Sequence, residues 1–436
     1  MGIKLTGGLY LPKNKLIKNI TEIKKVSQPS FFSVPITCTS GMPAEPVVKK
    51  GDYVKEGTLI AKPTTSKGAF VYSPTSGMVV DIIDKFTPGG RRCQHVVINP
   101  DGKNEKKYLP EIKDFSAKEL LRRLAVSGIV DANFGGSPSY LRYSLSAVER
   151  QYNLYVVLGS TDPYLQANPA LAELNLEQVV KGAKYFATIL ASKKIVFITT
   201  WAQSKLRKKI QQYMAEYEPK IKYALKEISN AYPAENYELL MHKFSPKKNI
   251  FVESSKGKVF IEDAITCCSF CAAVENNIPC YYRTITICGS NVKNSGVYTI
   301  KNGVTFEHIL KEVGFDNTSQ EIKMINGGIM SGLAQYSDQV SVNPETQSIV
   351  FVPFKKEEIS KESPCINCGR CVNVCPMNIL PNRLDELSVL GKHHDCKKMG
   401  IESCIGCGCC SYVCPSRRNM AQRISSTKQQ IKEGKY

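Results

Sequence analysis

The residues most able to do chemistry lie near the end of this 436-residue chain, in two cysteine runs. "CINCGRCVNVCP" sets Cys365, Cys368, Cys371 and Cys375 in the spacing C-x2-C-x2-C-x3-C, followed by Pro376. "CIGCGCCSYVCP" repeats the spacing with Cys404, Cys407, Cys410 and Cys414, followed by Pro415. Three thiolates two residues apart wrap one tight turn around three iron corners of a cubane. The fourth corner faces away from that turn, so the last cysteine of each run serves the other cluster. The expected quartets are Cys365, Cys368, Cys371 and Cys414 for one 4Fe–4S cluster, and Cys404, Cys407, Cys410 and Cys375 for a second. Structural zinc, by contrast, usually takes two separated C-x2-C pairs. Proline after the fourth thiol stops the local helix. Gly369, Gly406 and Gly408 let the backbone come close enough to donate N–H groups to sulfur. With the second run registered on the first, Cys410 falls opposite Cys371 and Cys409 opposite Arg370, which leaves Cys409 as a spare.

The chain holds seventeen cysteines, and its opening "MGIKLTGGLYLP" lacks the apolar core of a signal peptide. Thiols kept reduced for metal are therefore expected, not a disulfide framework. Cys267, Cys268, Cys271, Cys280 and Cys288 match no standard ligand spacing and read as small buried hydrophobes. Cys38, Cys93 and Cys396 are isolated, and the pair His393 and His394 reads as solvent-facing. Gly2 with Thr6 fits a short, permissive myristoylation pattern. The formal charge of +19 is scattered along the chain, without the basic–aromatic interleaving of a nucleic-acid groove. It reads as a solvated basic surface, with attraction to an anionic leaflet as the next reading. No apolar run approaches the eighteen residues of a membrane span.

Several kinds of element must hold these residues, and the fold class expected is multidomain, α/β with α+β. Residues 1–112 read as an all-β barrel-sandwich domain, because "KKGDYVKEGTLIA" and "SPTSGMVVDI" resemble the two halves of a lipoyl-like barrel. Its one candidate carrier lysine, Lys67, lacks the usual neighbours, so a scaffold use is expected. Residues 113–250 alternate strand and helix: "NLYVVLGS", "PALAELNLEQVVKGAKYFATILAS", "KKIVFITT", "AQSKLRKKIQQYMAEY" and "KIKYALKEI". That order predicts a parallel, Rossmann-like sheet with its ligand at the carboxyl ends of the strands. Residues 251–345 contain two strands, a turn and a short helix of a β-grasp-like (SLBB-like) unit. Residues 355–436 read as a helical two-cluster ferredoxin-type domain.

With these motifs placed, the chain resembles the C subunits of Rnf electron-transport complexes, which are ion-translocating oxidoreductases. The resemblance is carried nearly end to end by "GGLYLPKNK", "PAEPVVKKGDYVKEGTLIA", "SPTSGMVV", the "ICG" of the β-grasp segment, "INGGIMSG" and the twin cysteine runs. It implies a peripheral subunit on the cytoplasmic face of the cell membrane, passing electrons through two 4Fe–4S clusters to other membrane subunits. Ferredoxin is a further implied partner. Such subunits are similar in their central domain to the flavin subunit of respiratory complex I, which implies FMN as cofactor and NADH as electron source. The cobalamin reductase of propanediol utilisation shares the architecture. A soluble flavin and iron–sulfur reductase and a non-catalytic electron-transfer scaffold therefore stay open as alternatives.

The resemblance reaches the flavin motifs only in part. The family's G-G-A-G-F-P-T-x-x-K loop aligns on Pro138 with "NFGGSPSYLR". Gly135, Gly136, Pro138 and Ser139 survive in part, Arg142 takes the lysine place, and Asn133 and Phe134 stand where two glycines would be. A backbone shaped to approach phosphate needs residues without a Cβ, so Phe134 is a steric objection. The second motif, N-A-x-E-C-E-P-Y, becomes "VLGSTDPY", which keeps Asp162 but places Val157 and Ser160 at the Asn and Glu positions. Gly135, Gly136, Arg142 and Asp162 are the residues this resemblance assigns to FMN or NADH.

Overall fold

The computed structural model describes the chain except for residues 1–5, 13–16, 18–19, 37–43, 66, 135, 147–151, 216–220, 245–258, 316–320, 355–360 and 435–436. Gly2, Gly135 and Cys38 thus lie outside the described residues.

The N-terminal β-branched runs form two antiparallel sheets. One orders the strands Phe32–Pro35, Arg92–Pro100, Gly77–Phe86 and Tyr53–Val54; the other orders Ala44–Pro46, Leu59–Pro63 and Val71–Tyr72. Alternate residues point inward, and Phe32, Val34, Val54, Ile60 and Ile98 are almost wholly buried. Lys67 sits exposed in the turn between Leu59–Pro63 and Val71–Tyr72. The barrel does not close its core alone: those residues pack in one cluster with Ile285, Ile287, Phe306 and Phe351 of the β-grasp unit. Glu56, nearly buried, joins the two by accepting from Tyr281 Oη (2.6 Å) and Lys301 Nζ (2.5 Å).

The central sheet is parallel, in the order Lys222–Ile228, Lys194–Thr200, Asn153–Val157, Val259–Asp263. Its strands are near-continuous apolar runs because both faces are covered. Leu154, Val156, Ile195 and Phe197 enter one core, while Tyr155, Val157, Val196 and Ile198 enter the other. Two expectations change here. The single helix expected from residue 169 is two, Ala167–Leu174 and Leu176–Ile189, with Asn175 at φ −126°, ψ 37° between them. The sheet also takes a fourth strand, Val259–Asp263, and the helix Ala264–Glu275 after it, so residue 250 does not divide the sheets. A five-residue run buried on both faces carries no alternation that would mark it in the sequence.

The β-grasp unit is a mixed six-stranded sheet in the order Lys24–Lys25, Gly296–Lys301, Tyr282–Gly289, Ser348–Pro353, Ile322–Asn326, Leu333–Gln335. The helix Phe306–Glu312 packs on it, with Thr305 Oγ1 accepting from His308 N. Two of its strands fall outside residues 251–345: Ser348–Pro353 lies beyond that span, and Lys24–Lys25 comes from the N-terminal region.

The C-terminal unit holds the helices Arg370–Asn373, Pro381–Val389, His393–Lys398, Cys409–Tyr412 and Met420–Lys432. Its small core contains Leu384, Cys396, Ile401, Met420 and Ile424. Asp385 is fully buried within it, each oxygen 2.6 Å from the Nε of an arginine, Arg418 or Arg423. Arg423 also reaches Glu362 at 2.9 Å. The two arginines compensate the buried Asp385 charge, which would be costly unpaired.

Candidate functional site

The two cysteine runs fold alike because they repeat a backbone pattern, residue for residue. Asn367 and Gly406, Gly369 and Gly408, and Asn378 and Arg417 occupy matching positions, and all six have φ between 52° and 80°. Left-handed backbone is routine only for glycine and tolerated by asparagine. That Arg417 adopts it too indicates that the loop geometry dictates the conformation at this position. Gly369 and Gly408 each precede a one-turn helix, Arg370–Asn373 and Cys409–Tyr412.

The runs line two recesses. Cys365, Cys368, Cys371 and Cys414 line one. Cys375, Cys404, Cys407 and Cys410 line the other together with Cys409, whose thiol lies 4.0 Å from the carbonyl of Tyr232. Each recess thus combines cysteines of one run with the last cysteine of the other: Cys365, Cys368 and Cys371 with Cys414, and Cys404, Cys407, Cys409 and Cys410 with Cys375. Among the described residues no three His, Cys, Asp or Glu side chains converge closely enough for a single metal ion. The thiols instead ring the recesses, an arrangement that fits a cluster larger than one ion. Backbone N–H groups are aimed at the sulfurs. Burial pushes the Cys375 thiol up, and the N–H groups of Ile379, Met377 and Asn378 pull it back. Cys371 is likewise raised by burial and eased by Asn382 and Val372, and Cys404 by Gly406. Donors already placed for thiolate sulfur are what a cluster-binding loop requires.

Exposure separates the two recesses. Cys365 and Cys368 are exposed, whereas Cys404, Cys407 and Cys410 are partly buried against the rest of the protein. Gly408 lies so close to the loop after Asn326 that a Cβ would run into the carbonyl of Met330. Cys409 is almost wholly buried, beside Cys407 and 4.0 Å from the carbonyl of Tyr232. That same carbonyl accepts from Leu9 N (2.9 Å), and Gly8 N donates to Val374 O (2.9 Å). Residues 7–9 therefore run as a strap between the central domain and the first cysteine run.

A third cavity, about 320 Å3, opens at the carboxyl ends of the parallel strands, lined by Val157, Gly159 and Ile265 among others. Ile405, between Cys404 and Cys407, lines both this cavity and the second cysteine recess. Of the described residues assigned to flavin through the resemblance, Gly136, Arg142 and Asp162, none lines this cavity. Arg142 points beneath the loop, ion-paired with Asp131 and Glu262 and donating to Ile261 O (2.7 Å). Its guanidinium stacks 3.9 Å from the Phe134 ring centroid and 4.4 Å from that of Phe260. Burial pushes Glu262 well up, opposed by Arg142, as expected when two acids share one cation. Gly136 has φ +71°, and a Cβ there would run into the carboxylate of Glu345. Asp162 is fully buried under Gly328, accepting from Tyr164 N (2.8 Å) with its other oxygen unpartnered. Burial pushes its carboxyl up to about 7.

Sequence reasoning did not find Glu235. It accepts from Ser160 Oγ (3.2 Å), Thr161 N (2.8 Å), Thr161 Oγ1 and Asp162 N (3.1 Å), while lining the cavity. Nothing in "YPAENY" marks it, since its partners lie some seventy residues earlier. A phosphate-bearing flavin does not fit these residues: among the described residues lining the cavity none is Lys or Arg, and one is Glu. Of the central group of cysteines, Cys267 and Cys271 are buried on Ala264–Glu275 and Cys288 on Tyr282–Gly289, while Cys268 and Cys280 are partly buried.

Comparison with known proteins matches residues 3–103 to the RnfC barrel sandwich hybrid domain and residues 364–417 to the 4Fe–4S dicluster domain. The chain is 29% identical to the C subunit of the proton-translocating ferredoxin:NAD(+) oxidoreductase complex of Clostridium ljungdahlii, over 88% of this chain and 84% of that protein. It is 26% identical to the C subunit of the Na(+)-translocating ferredoxin:NAD(+) oxidoreductase complex of Acetobacterium woodii, over 98% and 96%. With the C subunit of the ion-translocating oxidoreductase complex of Rhodobacter capsulatus the identity is 26%, over 91% and 77%. Among solved structures, an NAD+-reducing [NiFe]-hydrogenase chain aligns with TM-score 0.50 and 11% identity, a likeness of fold. That alignment covers 73% of this chain and 63% of the hydrogenase chain.

Proposed function

We propose that this protein is the peripheral iron–sulfur subunit of an Rnf-type ion-translocating oxidoreductase, at the cytoplasmic face of the membrane. Homology to the C subunits of such complexes extends over most of the chain. Among the described residues no helix is long and apolar enough to cross a membrane, so ion movement falls to partner subunits. The observation that carries the reading is the exchange of cysteines between the runs, with the last cysteine of each run lining the recess of the other. A 4Fe–4S cubane in such a quartet supplies one-electron transfer. The protein would hold one cluster with Cys365, Cys368, Cys371 and Cys414, where two thiols are exposed for exchange with a partner. It would hold the other with Cys404, Cys407, Cys410 and Cys375, against the central cavity. The basic surface favours an acidic redox partner such as a ferredoxin, and speeds its arrival.

Anaerobically purified protein is expected to contain about eight irons and as much acid-labile sulfide per chain, four for each cubane. Two zincs and no sulfide would sink the reading. Cys375→Ser should remove the cluster held by the second run, whereas Cys409→Ser should leave iron and sulfide unchanged. Loss from the first run's cluster in Cys375→Ser would reverse the pairing.

A further inference from the structure

The cavity beside Ile405 stands where folds of this kind receive a phosphate-bearing cofactor. Three elements around it could bind an anion, and the chain's own atoms occupy each of them. At the start of the helix Ala264–Glu275, Ile265 N donates to Asn168 Oδ1 (3.1 Å) and Thr266 N to Asp263 Oδ1 (2.7 Å). In the loop after Asn153–Val157, the N–H groups of Thr161 and Asp162 both donate to Glu235 Oε1. Against Gly136, in the glycine-bearing turn, lies the carboxylate of Glu345. Carboxylates are the natural occupants of N–H clusters that would otherwise bind phosphate. The nearby cation is engaged as well, since Arg142 is paired with Asp131 and Glu262 below the loop.

A phosphate entering this cavity would thus meet Glu235 with no described basic side chain on the walls. Two negative groups brought together out of water without a counter-charge are strongly disfavoured. What the walls do offer suits a neutral ring. Tyr232 and Tyr237 present aromatic surface, and the amides of Asn236 and Gln347 line the wall. Asn236 Oδ1 accepts from Leu239 N (3.1 Å) and Gln347 Nε2 donates to Asn133 Oδ1 (3.2 Å), which leaves Asn236 Nδ2 to donate and Gln347 Oε1 to accept. The volume, about 320 Å3, is in the range of small-molecule sites.

We propose that the cavity binds a neutral planar heterocycle without phosphate, of the riboflavin type, and rejects FMN and NADH. The position of Ile405 gives such a ring its purpose, since that residue lines both the cavity and the recess that holds Cys404, Cys407, Cys410 and Cys375. That purpose rests on the electron-transfer reading, but the binding preference does not.

The test is anaerobic titration of the full chain, clusters included, with riboflavin, FMN and NADH, followed by flavin fluorescence quenching and equilibrium dialysis. Riboflavin is expected to bind at least tenfold more tightly than FMN, with no NADH binding. Glu235→Gln should narrow that gap by strengthening FMN binding. Ser331 is exposed at the cavity wall, and Ser331→Trp should abolish riboflavin binding while iron content stays at the wild-type level. The proposal is overturned if FMN binds as tightly as riboflavin, if neither binds, or if Ser331→Trp leaves binding intact. Iron and sulfide are measured on the same samples. Their absence alongside intact riboflavin preference would remove the electron-transfer reading and leave this one standing.

Discussion

Asp162 is an acid held where an acid is costly. Its carboxyl is fully buried, one oxygen has no partner, and its pKa is pushed up from 3.8 to about 7. The folded form therefore keeps a proton that the unfolded chain gives up, and stability falls as pH rises from about 4 to about 7. Above that window the penalty is complete, on the order of a few kcal/mol for a shift of this size. Asp162→Asn keeps the acceptor for Tyr164 N and cannot ionise. It is expected to raise the Tm at pH 8.5 by several degrees, with the gain shrinking towards pH 5. A gain that does not change with pH would show that ionisation is not the cause. Asp162 is also where resemblance and structure part: the residue matches a flavin motif, yet its side chain turns under Gly328 and does not line the cavity.

At the scale of elements, the cysteine loops contain a built-in comparison. Gly369 and Gly408 share their place in the repeat and their left-handed backbone, but only Gly408 is packed. A Cβ at Gly369 meets nothing within 4 Å, whereas one at Gly408 meets Met330. Gly369→Ala should then cost about 1 kcal/mol, the strain of a left-handed alanine. Gly408→Ala should cost more and loosen the second cluster loop from the central domain, measured as faster loss of cluster absorbance under chelator. Equal effects would mean that the docking of the two units contributes nothing to cluster retention. Spacing made these loops legible in the sequence, because thiols two and three residues apart can do little else. Three parallel strands were legible from their apolar runs, and two of the six strands of the β-grasp sheet, Tyr282–Gly289 and Gly296–Lys301, were legible as well. The strand Val259–Asp263 was not, being too short and too evenly buried to carry a period. The cavity's acids were hidden for another reason: Glu235 and Glu345 act on loops far away in sequence, and only the folded chain brings them there.

For the molecule as a whole, the order of units places one recess inward and one outward. The inward recess shares Ile405 with the cavity, while the outward one exposes Cys365 and Cys368. A peripheral subunit with a formal charge of +19 would be held to its complex partly by electrostatics, which salt weakens. The protein is expected in the membrane fraction at low salt, and its release should increase as salt rises towards 1 M. Release from washed membranes at low salt would favour a soluble reductase. Cohesion within the chain has another origin: the barrel and β-grasp sheet share one core, and Glu56 bridges them. Separate expression of either unit should yield insoluble protein.

The strap at residues 7–9 has a consequence for how the chain is made. Gly8 meets Val374 and Leu9 meets Tyr232, so the first described residues to leave the ribosome wait for partners synthesised hundreds of residues later. Contacts so distant in sequence form late in folding. The second run, with Cys409 against the same Tyr232 carbonyl, is made later still. Closure of the strap therefore belongs to a late stage of folding, once both cysteine runs have been made. A bulky fusion placed before residue 7 would burden that stage while leaving the earlier-made sheets to fold.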